Sequence, residues 1–93
     1  MSNYFAKYHT KFKSDLKKIQ KRGLDINKMN KVITKLCNSK KLDPIYLDHN
    51  LRGIYKNSRE CHIEPDWLLI YRIDDVNGVL HLLRTGTHSD LFR

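Results

Sequence analysis

The chain has 93 residues, 40% of them hydrophobic, and a formal net charge of +8. That length supports one domain around one core, residues 1–93, and the composition excludes a disordered tail. The charge is lopsided: residues 1–41 carry twelve Lys/Arg against two acids, and residues 42–93 carry six against eight, which makes the first half an electrostatic handle for a polyanion or an acidic protein.

Asn3 to Tyr8 alternates weakly and reads as a first strand. Thr10 is a candidate helix cap. Phe12, Leu16 and Ile19 then recur at helical spacing, and Lys11, Lys13, Lys17, Lys18 and Lys21 fill other positions. Gly23 stops this helix and Asp25 caps the next, in which Met29, Val32, Ile33, Leu36 and Cys37 follow the amphipathic template in full. The short connection predicts an antiparallel helical hairpin. Asp43-Pro44 marks a turn, and Asp48-His49-Asn50 reads as polar loop. Three strands follow. Ser58 to Glu64 alternates, with Arg59, Cys61 and Ile63 on one face and Glu60, His62 and Glu64 on the other. Pro65-Asp66 is a turn into Trp67–Ile73, and the Asn-Gly signal in Asp75–Gly78 predicts a hairpin with Val79–Arg84. Gly86 permits a sharp bend before the tail. The order β-α-α-β-β-β predicts an α+β fold, with the helical hairpin on one face of a mostly antiparallel, twisted sheet.

The longest apolar run, Trp67 to Tyr71, is far too short to span a bilayer, and there is no basic leader followed by an apolar stretch. These features predict a soluble, cytoplasmic protein with no membrane partner. Cys37 and Cys61 do not form a disulfide framework.

The chemistry concentrates in the C-terminal half. His49, His62 and His88 are imidazoles able to give and take protons near neutrality, and Asp66 adds a carboxylate. They lie in different elements, and the topology is what would bring them together. If Ile63 faces the helices, His62 faces the other side; Asp66 starts the next strand, and the Gly86 hinge returns His88. Metal-free RNA cleavage needs a base for the 2′-hydroxyl, an acid for the 5′-oxygen, donors for the phosphorane and a ring to hold a base. The imidazoles and Asp66 suit proton transfer, Arg52 and Arg84 suit the phosphate, and Phe92 or Trp67 suits stacking. Plainer explanations compete. Trp67 opens an apolar strand and fits core packing, Asp66 fits a turn, Arg84 fits a structural ion pair, and His9 and His81 fit surface hydrogen bonding. Zinc is the rival use of His49, Cys61, His62, Asp66 and His88. Adjacent Cys61 and His62 point to opposite faces of a strand, however, so no short-spaced ligand pair remains and no metal site or cofactor is expected.

Leu47-Asp48-His49-Asn50-Leu51, the run Arg59 to Tyr71 and the run Arg84 to Phe92 together resemble the YafQ-type branch of the RelE superfamily of bacterial toxins. Phe12 to Lys18 and Lys21-Arg22-Gly23 fit more loosely. The resemblance implies a RelE-like toxin of a type II toxin–antitoxin system. Its activity would be a metal-independent endoribonuclease that cuts mRNA in the ribosomal A site, silenced by a cognate antitoxin, acidic in character. The family's active-site positions fall on His49, His62, Asp66, His88 and Phe92, with Trp67 adjoining. Under that resemblance His49 is the base and His88 the acid. Asp66 and His62 orient the base or bear on the phosphate, and Phe92 stacks on the nucleotide. The helical lysines Lys11, Lys13, Lys17, Lys18 and Lys21 would grip ribosomal RNA or the antitoxin. Two other readings stand beside this one: a ParE-like gyrase poison, which has no need of three imidazoles at a cleft, and an RNA-binding module with idle histidines.

Overall fold

The computed structural model describes residues 3–39, 41–51 and 57–92. Strand β1 (Phe5–Tyr8) leads into helices α1 (Thr10–Lys21) and α2 (Ile26–Cys37), then a 3-10 turn at Pro44–Tyr46. Strands β2 (His49–Asn50), β3 (Arg59–Glu64), β4 (Trp67–Asp74) and β5 (Val79–Gly86) follow, and a short helix α3 (His88–Phe92) ends the described chain. The sheet order is β1-β5-β4-β3-β2; β1 runs parallel to β5 and the other pairs are antiparallel.

Local chemistry explains the helical hairpin. Gly23 adopts φ 77°, the left-handed region a glycine enters without penalty. The Asp25 carboxylate accepts the Asn27 N–H at 3.0 Å, the capping bond expected of it. Thr10 does not cap α1. The His9 N–H donates to the Leu82 carbonyl, which holds His9 extended and makes it the cap residue, without a side-chain cap bond. Phe12 and Ile19 of α1 and Met29, Val32, Ile33 and Leu36 of α2 are buried against Cys61, Ile63, Trp67, Leu69, Tyr71, Leu80 and Leu82. This is the main core, and it defines the helix-covered face of the sheet.

Three details, in β2, β3 and the tail, depart from expectation, while the β4–β5 loop falls on Asp75–Gly78 as expected. His49–Asn50, read as loop, pairs antiparallel with Glu60 and Arg59 as a two-residue edge strand, too short to show a period of its own. A register shift between His62 and Glu64 carries Glu64 off the His62 face, and its carboxylate meets Lys28 of α2 at 2.7 Å. The β4–β5 hairpin closes at Asp74–Val79, leaving a four-residue loop in which Asp74 accepts from the Asn77 backbone and side-chain amides. The tail is helical where only a bend was expected. Thr87 and Asp90 cap α3 reciprocally, the Thr87 N–H to Asp90 Oδ2 at 2.9 Å and the Asp90 N–H to Thr87 Oγ1 at 3.1 Å. Gly86 permits this close return, since a Cβ there would lie 2.8 Å from Asp90 Oδ2. Leu91 of α3 then covers Leu68 and Ile70 on the sheet face away from α1 and α2.

Candidate active site

That second face carries the imidazoles. The β2–β3 register sets His49 opposite Glu60, and alternation along β3 brings His62 to the same side two residues later. The two-residue turn at Pro65-Asp66 and the return of the chain at Gly86 bring Asp66 against His88. The His49 and His62 ring centroids are 6.3 Å apart, and those of His62 and His88 are 5.6 Å apart. Three imidazoles from three separate elements therefore stand in a row.

Each ring is anchored through Nδ1. His49 Nδ1 lies 2.6 Å from the Leu47 carbonyl, which requires that nitrogen to donate and turns Nε2 toward Glu60 Oε2 at 3.2 Å. Leu47 adopts φ 50°, a left-handed conformation that costs about 1–2 kcal/mol in a residue other than glycine. His62 Nδ1 lies 3.3 Å from the Pro65 carbonyl, and its Nε2 lies 3.4 Å from the same Glu60 oxygen. Glu60 is thus a buried carboxylate, 5% exposed, shared by two imidazoles. Reading the sequence placed Glu60 on the His62 face but gave it no role. The signal available was its position two residues before His62; the His49 partnership exists only once β2 pairs.

Asp66 accepts both the His88 backbone N–H, at 3.0 Å, and His88 Nδ1, at 2.7 Å. These two bonds hold its carboxyl below the usual range, so Asp66 stays ionised and orients His88 rather than exchanging protons itself. His88 Nε2 is then the ring nitrogen turned outward. Phe92 lies one helical turn beyond His88, on the same side of α3, and is 45% exposed.

Not every expected site residue joins this group. Trp67 is 2% exposed, and its Nε1 donates to Thr85 Oγ1 at 2.9 Å. The first position of β4 points under the helices with Leu69 and Tyr71, so Trp67 is a core residue and presents no ring to a base. The Arg84 guanidinium is engaged by buried Asp15 of α1, through Nε at 2.7 Å and Nη2 at 3.1 Å, and it braces α1 on β5. Lys11, Lys13, Lys17, Lys18 and Lys21 are exposed on α1, on the opposite face of the sheet from the imidazoles. Arg52 lies outside the described residues. Cys61 is buried on the helix side, where burial pushes its thiol far up. Among the described residues no three His, Cys, Asp or Glu side chains are arranged to hold a metal ion.

Residues 4–93 match the family model for the bacterial toxin of type II toxin–antitoxin systems, YafQ. The chain belongs to the YafQ toxin family. The mRNA interferase toxin YafQ of Escherichia coli (strain K12) is 43% identical over 86 residues, 91% of each chain. YafQ in the E. coli DinJ–YafQ toxin–antitoxin complex superimposes with a TM-score of 0.88 at 40% identity, covering 98% of this chain and 99% of that one. A metal-bound toxin from Helicobacter pylori superimposes with a TM-score of 0.90 at 42% identity, covering 96% and 99%. This fold brings His49, His62 and His88 side by side and binds Asp66 to His88, with Phe92 at the end of α3.

Proposed function

We infer that this YafQ-family toxin is an mRNA interferase: an endoribonuclease that cuts mRNA, acting in the ribosomal A site and thereby stopping translation. Residues 1–93 act as one RelE-like toxin domain. The observation that carries the reading is the row of three imidazoles flanked by Glu60 and Asp66. His49, with Nδ1 committed to Leu47, takes the 2′-hydroxyl proton at Nε2. The 2′-oxygen attacks phosphorus, the bond from phosphorus to the 5′-oxygen breaks, and the departing oxygen takes its proton from His88 Nε2. The products are a 2′,3′-cyclic phosphate and a 5′-hydroxyl. Asp66 accepts from His88 Nδ1 and so fixes the orientation of the ring. His62, between the other two, shares Glu60 with His49 and so helps to orient the base. Phe92 stacks on a base beside the cut. No step is routed through a metal; the imidazoles supply both proton transfers and Asp66 orients the acid.

An antitoxin silences the toxin, as DinJ accompanies YafQ in the related complex; the basic N-terminal half fits an acidic partner. No helix of the described residues is long and apolar enough to cross a membrane, and the site of action is the cytoplasm, where translating ribosomes are.

The test is incubation of purified toxin with a defined mRNA, with and without ribosomes and with and without a chelator, followed by mapping of the RNA ends. Cyclic phosphate ends that persist under chelation are expected. A 3′-hydroxyl end, or cutting abolished by the chelator, refutes the metal-free route, and full cutting by His49→Ala and His88→Ala refutes the assigned roles.

A further inference from the structure

The imidazole-bearing face of the sheet continues past α3 to a second, unassigned cluster. The register sets Lys7 of β1 opposite His81 of β5, and His81 opposite Arg72 of β4. Neighbouring strands are about 4.8 Å apart, so the three side chains form a row about 10 Å wide across adjacent strands. His9, just beyond β1, completes the group, its Nε2 2.8 Å from His81 Nδ1. Alternation places Arg72 on the same side as Leu68, the partner of His62, and about 13 Å further along β4.

Like charges directly opposite one another on a sheet face are destabilising. The carboxylates ion-paired among the described residues go to Arg22, Lys28, Lys35, Arg59 and Arg84 and to His49, His62 and His88, leaving Lys7 and Arg72 with none within ion-pair distance there. Asp74, the acid acting on His81 among the described residues, accepts from Asn77 and is the weakest of the influences on that ring. The local field is correspondingly positive. Burial first, and then Lys7 and Arg72, hold His9 below the ordinary histidine value; burial, Arg72, His9 and Lys7 do the same for His81. The α1 lysines cannot supply charge to this face, because they ride on the other side of the sheet.

We propose that Lys7, Arg72 and the His9–His81 pair form a phosphate-binding subsite that holds the RNA backbone a few nucleotides from the cut. The proposal rests on the nuclease reading above. It assigns RNA rather than an acidic peptide because the row shares the face and strands of the imidazoles, where a bound strand must run on. The phosphodiester belongs either to the mRNA being cut or to ribosomal RNA alongside it, and two assays separate these sources.

In the first, binding of a non-cleavable 2′-O-methyl RNA is followed as a function of salt for the natural protein and for the Lys7→Gln/Arg72→Gln double variant. Each phosphate contact to a single strand contributes about 0.7 to the slope of log affinity against log salt, so the variant is expected to lose about 1.4. Arg72→Lys, which keeps the charge, retains its share. The second assay repeats the titration with purified ribosomes. Loss of slope with free RNA assigns the subsite to mRNA, and loss confined to ribosomes assigns it to ribosomal RNA; either supports the proposal. A double variant that keeps both slopes, while the natural protein binds and cuts RNA, overturns the proposal and leaves the nuclease reading intact. So does a variant that keeps both slopes but loses binding to poly-L-glutamate, which gives the row to an acidic polypeptide. Natural protein that neither binds nor cuts RNA in either assay overturns both.

Discussion

Glu60→Gln separates stability from catalysis at this site. The Glu60 side chain is 6% exposed, and one of its oxygens serves His49 Nε2 at 3.2 Å and His62 Nε2 at 3.4 Å. Both are contacts at ion-pair distance, and with the His49 side chain 50% exposed each contributes about 0–1 kcal/mol. Against them stands the desolvation of a buried carboxylate, several kcal/mol. Glutamine has the same shape, can keep a carbonyl oxygen in the place of the shared Oε2, and carries no charge to desolvate. Its expected stability is within about 1 kcal/mol of the natural protein and on the stable side, a rise in Tm of no more than about 4–8 °C. Activity moves the other way. Without the shared anion the two rings lose their common anchor, and a misplacement of about 1 Å costs on the order of 100-fold. Urea unfolding and single-turnover cleavage of one defined mRNA on ribosomes measure the two effects on the same preparation. Natural cleavage by Glu60→Gln would show that the carboxylate does not position the rings. A loss of more than about 3 kcal/mol would show that the buried charge stabilises the fold, reversing the balance argued from exposure.

Other consequences follow from the packing and the charges. Trp67→Ala should cost about 3–5 kcal/mol in a urea melt, whereas Trp67→Phe should keep cleavage near the natural rate at saturating RNA; a selective loss of RNA affinity in Trp67→Phe would return that ring to the substrate. Asp15→Ala strands the partly buried Arg84 guanidinium and should destabilise by about 3–5 kcal/mol, checked by thermal unfolding, while Asp15→Ala/Arg84→Met should recover part of that loss. His9 and His81 lie below the ordinary value of 6.5 in the folded state, so the unfolded chain takes up their protons first. The stability they allow is present above pH 6.5 and is lost as pH falls through their lowered values. Asp66, Asp74 and Asp90, held below 3.8, act only at more acidic pH. Unfolding free energy measured between pH 6.5 and 4 should therefore fall less steeply for His81→Asn than for the natural protein, and equal slopes would refute the assignment.

Much of this toxin was legible before folding. The period of Met29, Val32, Ile33 and Leu36 determined α2 and its buried face, because an amphipathic helix has one way to hide that stripe. Gly23, Asp25 and the Pro65-Asp66 turn are local devices whose chemistry acts within a few residues, and each appears where expected. Alternation put His62 opposite Ile63, and the residues that resemble the YafQ family named the three imidazoles. Tertiary structure decided what depends on partners distant in the chain. The two-residue strand β2 exists only because β3 pairs with it, and that pairing makes Glu60 common to His49 and His62. A one-residue register shift sent Glu64 to Lys28, and the orientation of β4 sent Trp67 inward. Asp15 claimed Arg84 from 69 residues away. Local sequence determines what a segment can become, because its forces act within a turn or two of chain; which polar groups meet across the sheet depends on register and packing, which belong to the whole fold.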